Sequence, residues 1–302
     1  MDFGKLSDIS KVDFALPPDH PDTLPLLRQS GSYVKPQVCI GLPVWVNKAW
    51  VGKYYPAGMP EKESLLWYGK QFNTIELNST HYHIPSPTTV DRWRNAVPQG
   101  FKFCPKFPQL ISHEAALRST QDVTAVFCEA IAGFEDKLGS SFLQLPPYFA
   151  PNQLPDLEAF LAFIPESIPI TVELRHEGWF TDNVASLELF EVLEKYKVGT
   201  VLTDVAGRRD VLHMRLTTPS AMIRFVGNGL HPTDYTRIDE WVQRLKVWFE
   251  NGLRQLYFFV HEPDNTLAPE LETYLVQQLN KVCGFDLKPP KKYVQPVQGE
   301  LF

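Results

Sequence analysis

The chain alternates short apolar runs with longer stretches in which apolar residues recur every three or four positions. Residues 38–45, Val-Cys-Ile-Gly-Leu-Pro-Val-Trp, read as a strand, and similar runs follow at 74–80, 101–107, 141–145, 170–175, 200–205, 221–226 and 256–260. Helical spacing fills the gaps at 61–72, 86–97, 120–138, 154–163, 187–196 and 238–249, and again after the last strand at 269–282. In 120–138, Val123, Val126, Phe127, Ala130, Ile131, Phe134 and Leu138 form one apolar stripe. Ser86 before Pro87 supplies a capping hydroxyl and a proline tolerated in a first helical turn.

Strands that are apolar on both faces and alternate with helices are parallel and covered on the outside. Eight such units predict an α/β chain folded as a (β/α)8 TIM-type barrel. A doubly wound open sheet is the alternative, but no Gly-x-Gly-x-x-Gly follows the first strand. The sixth unit is the weak one, because 208–219 is too short and polar for a full crossover helix. The barrel is expected over 38–284. A Pro-rich N-terminal extension, 1–37, is expected over the barrel bottom or a helix face, and a flexible Pro- and Lys-rich tail over 285–302.

Charge and composition narrow the function classes. The chain carries 29 Lys and Arg against 35 Asp and Glu, a net charge of −6, which argues against direct non-specific nucleic-acid binding. No stretch approaches the roughly 18 apolar residues of a membrane helix, and no secretory leader is visible, so a cytoplasmic location without a membrane partner is expected. Cys39, Cys104, Cys128 and Cys283 form no Cys-x-x-Cys pair and read as reduced, mostly buried thiols.

In this fold, function sits at the C-terminal ends of the strands. The polar residues there are Trp45; Glu76, Asn78, Thr80, His81 and Tyr82; Lys106, with His113 on the loop beyond; Gln144; Glu173, Arg175, His176 and Trp179; Asp204; Arg224; and His261 with Glu262. Side chains alternate along a strand, so Glu76 shares a face with Asn78, and Glu173 with Arg175. Charges inside strands are costly unless paired or functional. Glu173, Asp204 and Glu76 are the candidate catalytic carboxylates. Arg175, Lys106 and Arg224 are candidate binders of a small anionic, sugar-like or nucleotide-like molecule. Asn78, Tyr82, Gln144, His176 and His261 would orient it, and Trp45, Tyr82 and Trp179 would give it a flat apolar rim. The competing reading is a structural layer of ion pairs. A divalent metal on Glu173, Asp204, Glu76 and His261 is less favoured, because three cations compete for the carboxylates; no cofactor is assigned.

Gly41-Leu42-Pro43-Val44-Trp45, the run from Phe72 to Tyr82, Phe103-Cys104-Pro105-Lys106-Phe107-Pro108, Ile111-Ser112-His113, Glu173-Leu174-Arg175-His176 and Ile223-Arg224-Phe225 resemble the YecE-like family, domain of unknown function 72. The resemblance runs in order over roughly 38–283. It implies a TIM-type barrel and carries no activity. Two departures stand out. Many members have Ser-Gly-Trp after the first strand and paired Asn after the eighth, where this chain has Leu42-Pro43-Val44-Trp45 and His261-Glu262-Pro263.

The end of the chain, Gln298-Gly299-Glu300-Leu301-Phe302, resembles the Gln-x-x-Leu-Phe peptide by which bacterial replication and repair proteins dock on the DNA sliding clamp. Gln298, Leu301 and Phe302 would make that contact. Three functions follow as expectations: an isomerase-like or hydrolase-like enzyme using acid–base chemistry at the strand ends, a DNA-maintenance accessory recruited by its tail, or a non-catalytic binding barrel.

Overall fold

The eight apolar runs become eight parallel strands: β1 (Gln37–Leu42), β2 (Thr74–Leu77), β3 (Lys102–Pro105), β4 (Ser141–Gln144), β5 (Ile170–Glu173), β6 (Gly199–Asp204), β7 (Ser220–Val226) and β8 (Gln255–His261). The computed structural model describes residues 4–29 and 35–294. In it the strands pair in the order β3-β2-β1-β8-β7-β6-β5-β4. β3 and β4 meet at the remaining seam, where Phe107 N donates to Phe142 O at 3.0 Å and Gly139 N to Phe103 O at 2.7 Å. The expected (β/α)8 barrel is the fold. Several strands are shorter than their apolar runs. β2, for example, ends at Leu77, where the chain turns into the 3-10 turn Asn78–His81.

The helices are α1 (Thr23–Gln29), α2 (Ser64–Gln71), α3 (Pro87–Ala96), α4 (Gln121–Ala132), α5 (Leu154–Phe163), α6 (Gly178–Thr181), α7 (Asn183–Lys195), α8 (Pro232–Glu250) and α9 (Ala268–Cys283). Ser86 does cap α3, its hydroxyl accepting from Thr89 N at 3.3 Å. α4 stops sooner than its pattern suggested. Phe127, Ile131 and Phe134 are buried, but Val126 faces solvent, so the stripe is narrower than the spacing implied.

Strand alternation builds two cores. Outward residues such as Leu42, Ile75, Leu143, Val172, Leu202, Ile223 and Phe258 pack against the helices. Inward residues Cys39, Cys104, Phe142, Val201, Met222, Tyr257 and Phe259 form a separate apolar plug inside the barrel. That plug is the floor on which any site at the strand ends must rest. All four cysteines are free thiols, three of them buried.

The short sixth unit has a structural answer. After β6 there is only a 3-10 turn, Arg209–Val211, before β7. The N-terminal extension packs beside this connection. Thr23 Oγ1 donates to Met214 O at 3.0 Å and accepts from Leu216 N at 3.2 Å. Phe14 lies under the guanidinium of Arg237, 4.7 Å from its ring centre. Asp19 accepts from Arg244 at 2.6 Å and from Trp248 Nε1 at 3.1 Å. From Phe14 to Thr23 the extension lies against α8 and the β6–β7 connection, while residues 4–9 reach the strand C-terminal end.

At the other end, residues 285–294 are laid along the barrel rather than projecting from it. Asn280 pairs twice with Leu287, and Gln71 exchanges hydrogen bonds with Lys291. Tyr293 N donates to Lys53 O at 2.7 Å. Amide side chains thus bind a backbone that its prolines keep out of regular structure. Of the stretch expected as a flexible tail, 285–302, residues 285–294 are seated on the barrel. Gln298, Leu301 and Phe302 lie outside the described residues. Among the described residues, no helix is long and apolar enough to cross a membrane.

Candidate functional site

Above the apolar floor, the next inward positions are polar: Glu76 on β2, Gln144 on β4, Glu173 on β5, Arg224 on β7 and His261 on β8, with Lys106 just past β3. They form one connected network. Arg224 donates to Glu76 twice, from Nε at 2.8 Å and Nη2 at 3.0 Å. Its Nη1 reaches Glu173 Oε2 at 2.9 Å. Glu173 also accepts from Arg175 Nε at 2.7 Å and from Gln144 Nε2 at 2.8 Å. Gln144 Oε1 accepts from Lys106 Nζ at 2.7 Å. Asn78 Nδ2 donates to Glu76 at 2.9 Å, and His261 Nε2 lies 3.0 Å from the same carboxylate.

The network sits at the base of a cavity of about 660 Å³ at the strand C-termini. Glu76 and Glu173 are almost fully buried beneath it, whereas Lys106, Arg175, Arg224 and His261 line it. Burial alone would raise Glu173, but the charges of Arg175 and Arg224 outweigh that and hold it at about 2. Glu76 is likewise pushed down, burial being overcome by Arg224 and His261. Lys106 behaves differently. Burial, with the charge of Arg224 added, lowers its ammonium to about 7. Burial and the Lys106 charge lower His81 to about 4, and its Nδ1 donates to Phe107 O at 2.7 Å as a neutral ring.

Four candidates stand elsewhere. Asp204 is turned outward. It shares its face with Leu202, while Thr203 points into the cavity. Its carboxylate accepts from Trp241 Nε1 at 2.7 Å and is paired with Arg209 and Arg237. It fixes α8 to the sheet, which corrects its placement in the mouth. Trp179 is fully buried, donating to Phe149 O at 2.7 Å. Trp45 packs edge-on against Trp93, 5.4 Å between ring centres. Of the three aromatic residues expected at the rim, only Tyr82 lines the cavity. His176 is spent locally, its Nδ1 accepting from Gly178 N at 3.0 Å.

Glu262 follows His261 at the end of strand eight, and the sequence pattern assigns it no role. It is 4% exposed and lines the cavity. Its Oε2 accepts from Gly229 N at 2.7 Å, while its buried Oε1 has no hydrogen-bond partner among the described residues. Burial raises the carboxyl to about 7, the Gly229 bond opposing and the charge of Asp234 adding to the shift. Among the described residues, no three His, Cys, Asp or Glu side chains are grouped to hold a metal ion. Glu76 and Glu173, offered as ligands by the sequence, are engaged by guanidinium groups.

A family model described as "Protein of unknown function DUF72" matches residues 39–293. The UPF0759 protein YecE of Escherichia coli K12 is 33% identical over 262 residues, covering 81% of this chain and 93% of that protein. A crystal structure of a DUF72 family protein from Enterococcus faecalis V583 superposes with a TM-score of 0.65 at 18% identity, over 83% of this chain and 99% of that one.

Proposed function

The chain belongs to the DUF72 family, and from the chemistry of its mouth we propose that it is an enzyme acting on a small anionic, sugar-like or nucleotide-like molecule by acid–base chemistry. The observation that carries this reading is Lys106. It is a 3%-exposed amine lining the cavity, its side chain bonds to the neutral amide of Gln144, and it has no carboxylate partner among the described residues. A buried ammonium without a counter-charge is costly, and a bound anion removes that cost. Arg175 and Arg224 face the same cavity, above the two network carboxylates Glu76 and Glu173, with Glu262 on its wall.

The two network carboxylates make poor proton acceptors near neutral pH, since both are held ionised. They position Arg224 and Arg175. Proton transfer falls instead to Glu262, whose burial brings its carboxyl up to about 7. A group poised near the working pH is the efficient acid or base. Lys106, charged by the bound anion, would hold the ligand, while protonated Glu262 would give it a proton and the ionised form take one back.

The test is a titration of the intact protein with phosphorylated sugars and nucleotides, followed by NMR of the ligand for turnover. Lys106→Met should abolish binding while Asp204→Asn retains it. Equal binding by the Lys106→Met variant overturns the reading. Binding without turnover, unaffected by Glu262→Gln, would leave a non-catalytic binding barrel.

A further inference from the structure

One wall of the cavity comes from outside the barrel. Gly4, Lys5, Leu6, Ser7 and Ile9 line the same space as Lys106 and Arg224. The family match begins at residue 39, so this wall lies outside the matched region. The extension reaches the mouth through a close backbone approach. Gly207 N donates to Gly4 O at 2.8 Å, and a Cβ on Gly207 would lie 2.8 Å from that oxygen and 3.0 Å from the Gly4 carbonyl carbon. Gly4 itself has φ +70°, a conformation that side chains disfavour. Farther along, Phe14, Asp19 and Thr23 anchor the extension against α8 and the β6–β7 connection. The base of the segment is therefore packed, while Lys5, Leu6 and Ser7 are exposed at the cavity edge.

We propose that residues 4–9 form the selectivity wall of the ligand site, contacting the part of the ligand that lies beyond its anionic group. Lys5 supplies an outer cation and Leu6 an apolar surface, so the site favours an anion carrying a sugar or base over a bare inorganic anion. This inference rests on the mouth being an anion site. It adds that the extension, filling the place of a missing barrel helix, takes part in recognition.

The experiment compares the full chain with a variant lacking residues 1–9 and with Gly207→Ala, which drives a methyl group against the Gly4 backbone and leaves the chain length intact. Sulfate reads the deep anion seat and ribose 5-phosphate the whole site. Both variants should keep sulfate affinity and lose about fivefold in ribose 5-phosphate affinity, the scale of one partly exposed charge contact. Unchanged ribose 5-phosphate affinity in both variants overturns the wall and leaves the anion seat standing. If neither anion binds even the full chain, the seat fails. The wall is then judged by the rate at which trinitrobenzenesulfonate labels Lys106, read by mass spectrometry of its peptide. A faster rate in both variants supports a wall over the mouth, and an unchanged rate overturns it.

Discussion

Arg224 holds Glu76 in a two-pronged grip, 2.8 Å from Nε to Oε2 and 3.0 Å from Nη2 to Oε1, although β7 and β2 are three strands apart around the barrel. The side chains meet because both point inward above the same apolar floor. With Glu173 on its remaining Nη1, Arg224 ties opposite sides of the mouth together. Removing one partner of a buried, hydrogen-bonded pair leaves the other charge uncompensated. Arg224→Met should therefore destabilise the protein by about 3–5 kcal/mol. Urea unfolding checks this, and a loss within the error of the wild type would contradict the network.

Glu173→Gln should also be costly, by about 2–4 kcal/mol, because the carboxylate is 1% exposed and neutralises Arg175 as well as Arg224. Its stabilisation has a defined pH range. The folded group sits at about 2, below the ordinary 4.5, so its contribution is full above 4.5 and is lost as pH falls through about 2. In acid titrations of stability, Glu173→Gln should flatten that part of the curve.

Glu262 has the opposite sign. Its folded value is raised to about 7 from 4.5, so its relative contribution is present below 4.5 and is lost as pH rises through about 7. Glu262→Gln should leave stability nearly unchanged at pH 4 and raise it at pH 8, as seen by thermal unfolding at the two pH values. A variant less stable than wild type at pH 8 would show that the carboxylate is compensated when ionised.

Asp204 separates structure from function. Its partners Arg209, Arg237 and Trp241 lie on the outer face, so Asp204→Asn should lower stability by about 2–4 kcal/mol and leave anion affinity at the mouth unchanged. Calorimetric titration of the folded variant decides the point. A parallel loss of affinity would mean that the outer cluster shapes the cavity.

The barrel was legible because its signal is repetitive. Eight apolar runs alternating with helical periods leave few other folds, and the seven helical periods fall on α2, α3, α4, α5, α7, α8 and α9. The inward faces of β2, β5 and β7 could be read by alternation, which put Glu76, Glu173 and Arg224 on one layer. The same rule, applied to Thr200, Leu202 and Asp204, puts Asp204 on the outer face, although a charge at a strand end suggests the mouth. Trp179 was misplaced because an aromatic residue after a strand packs inward or outward according to the loop, and α6 carries it against Phe149. Glu262 gave no periodic signal, since its burial depends on Gly227 and Gly229 from another loop. The pairing of the extension with the short sixth unit is a contact between distant segments, invisible to local pattern.

Lys106 waits for an anion, and binding of that anion should be accompanied by proton uptake. At pH 7.5 an amine titrating near 7 is mostly neutral, and an adjacent anion would make it hold a proton. Sulfate does not titrate in this range. Its binding, measured by isothermal titration calorimetry in buffers of different ionisation enthalpy, should therefore draw roughly half a proton or more from solution per sulfate bound. Lys106→Met should abolish that uptake together with the binding. Sulfate binding with no proton uptake, or with equal uptake in Lys106→Met, would mean that Lys106 is not the anion seat.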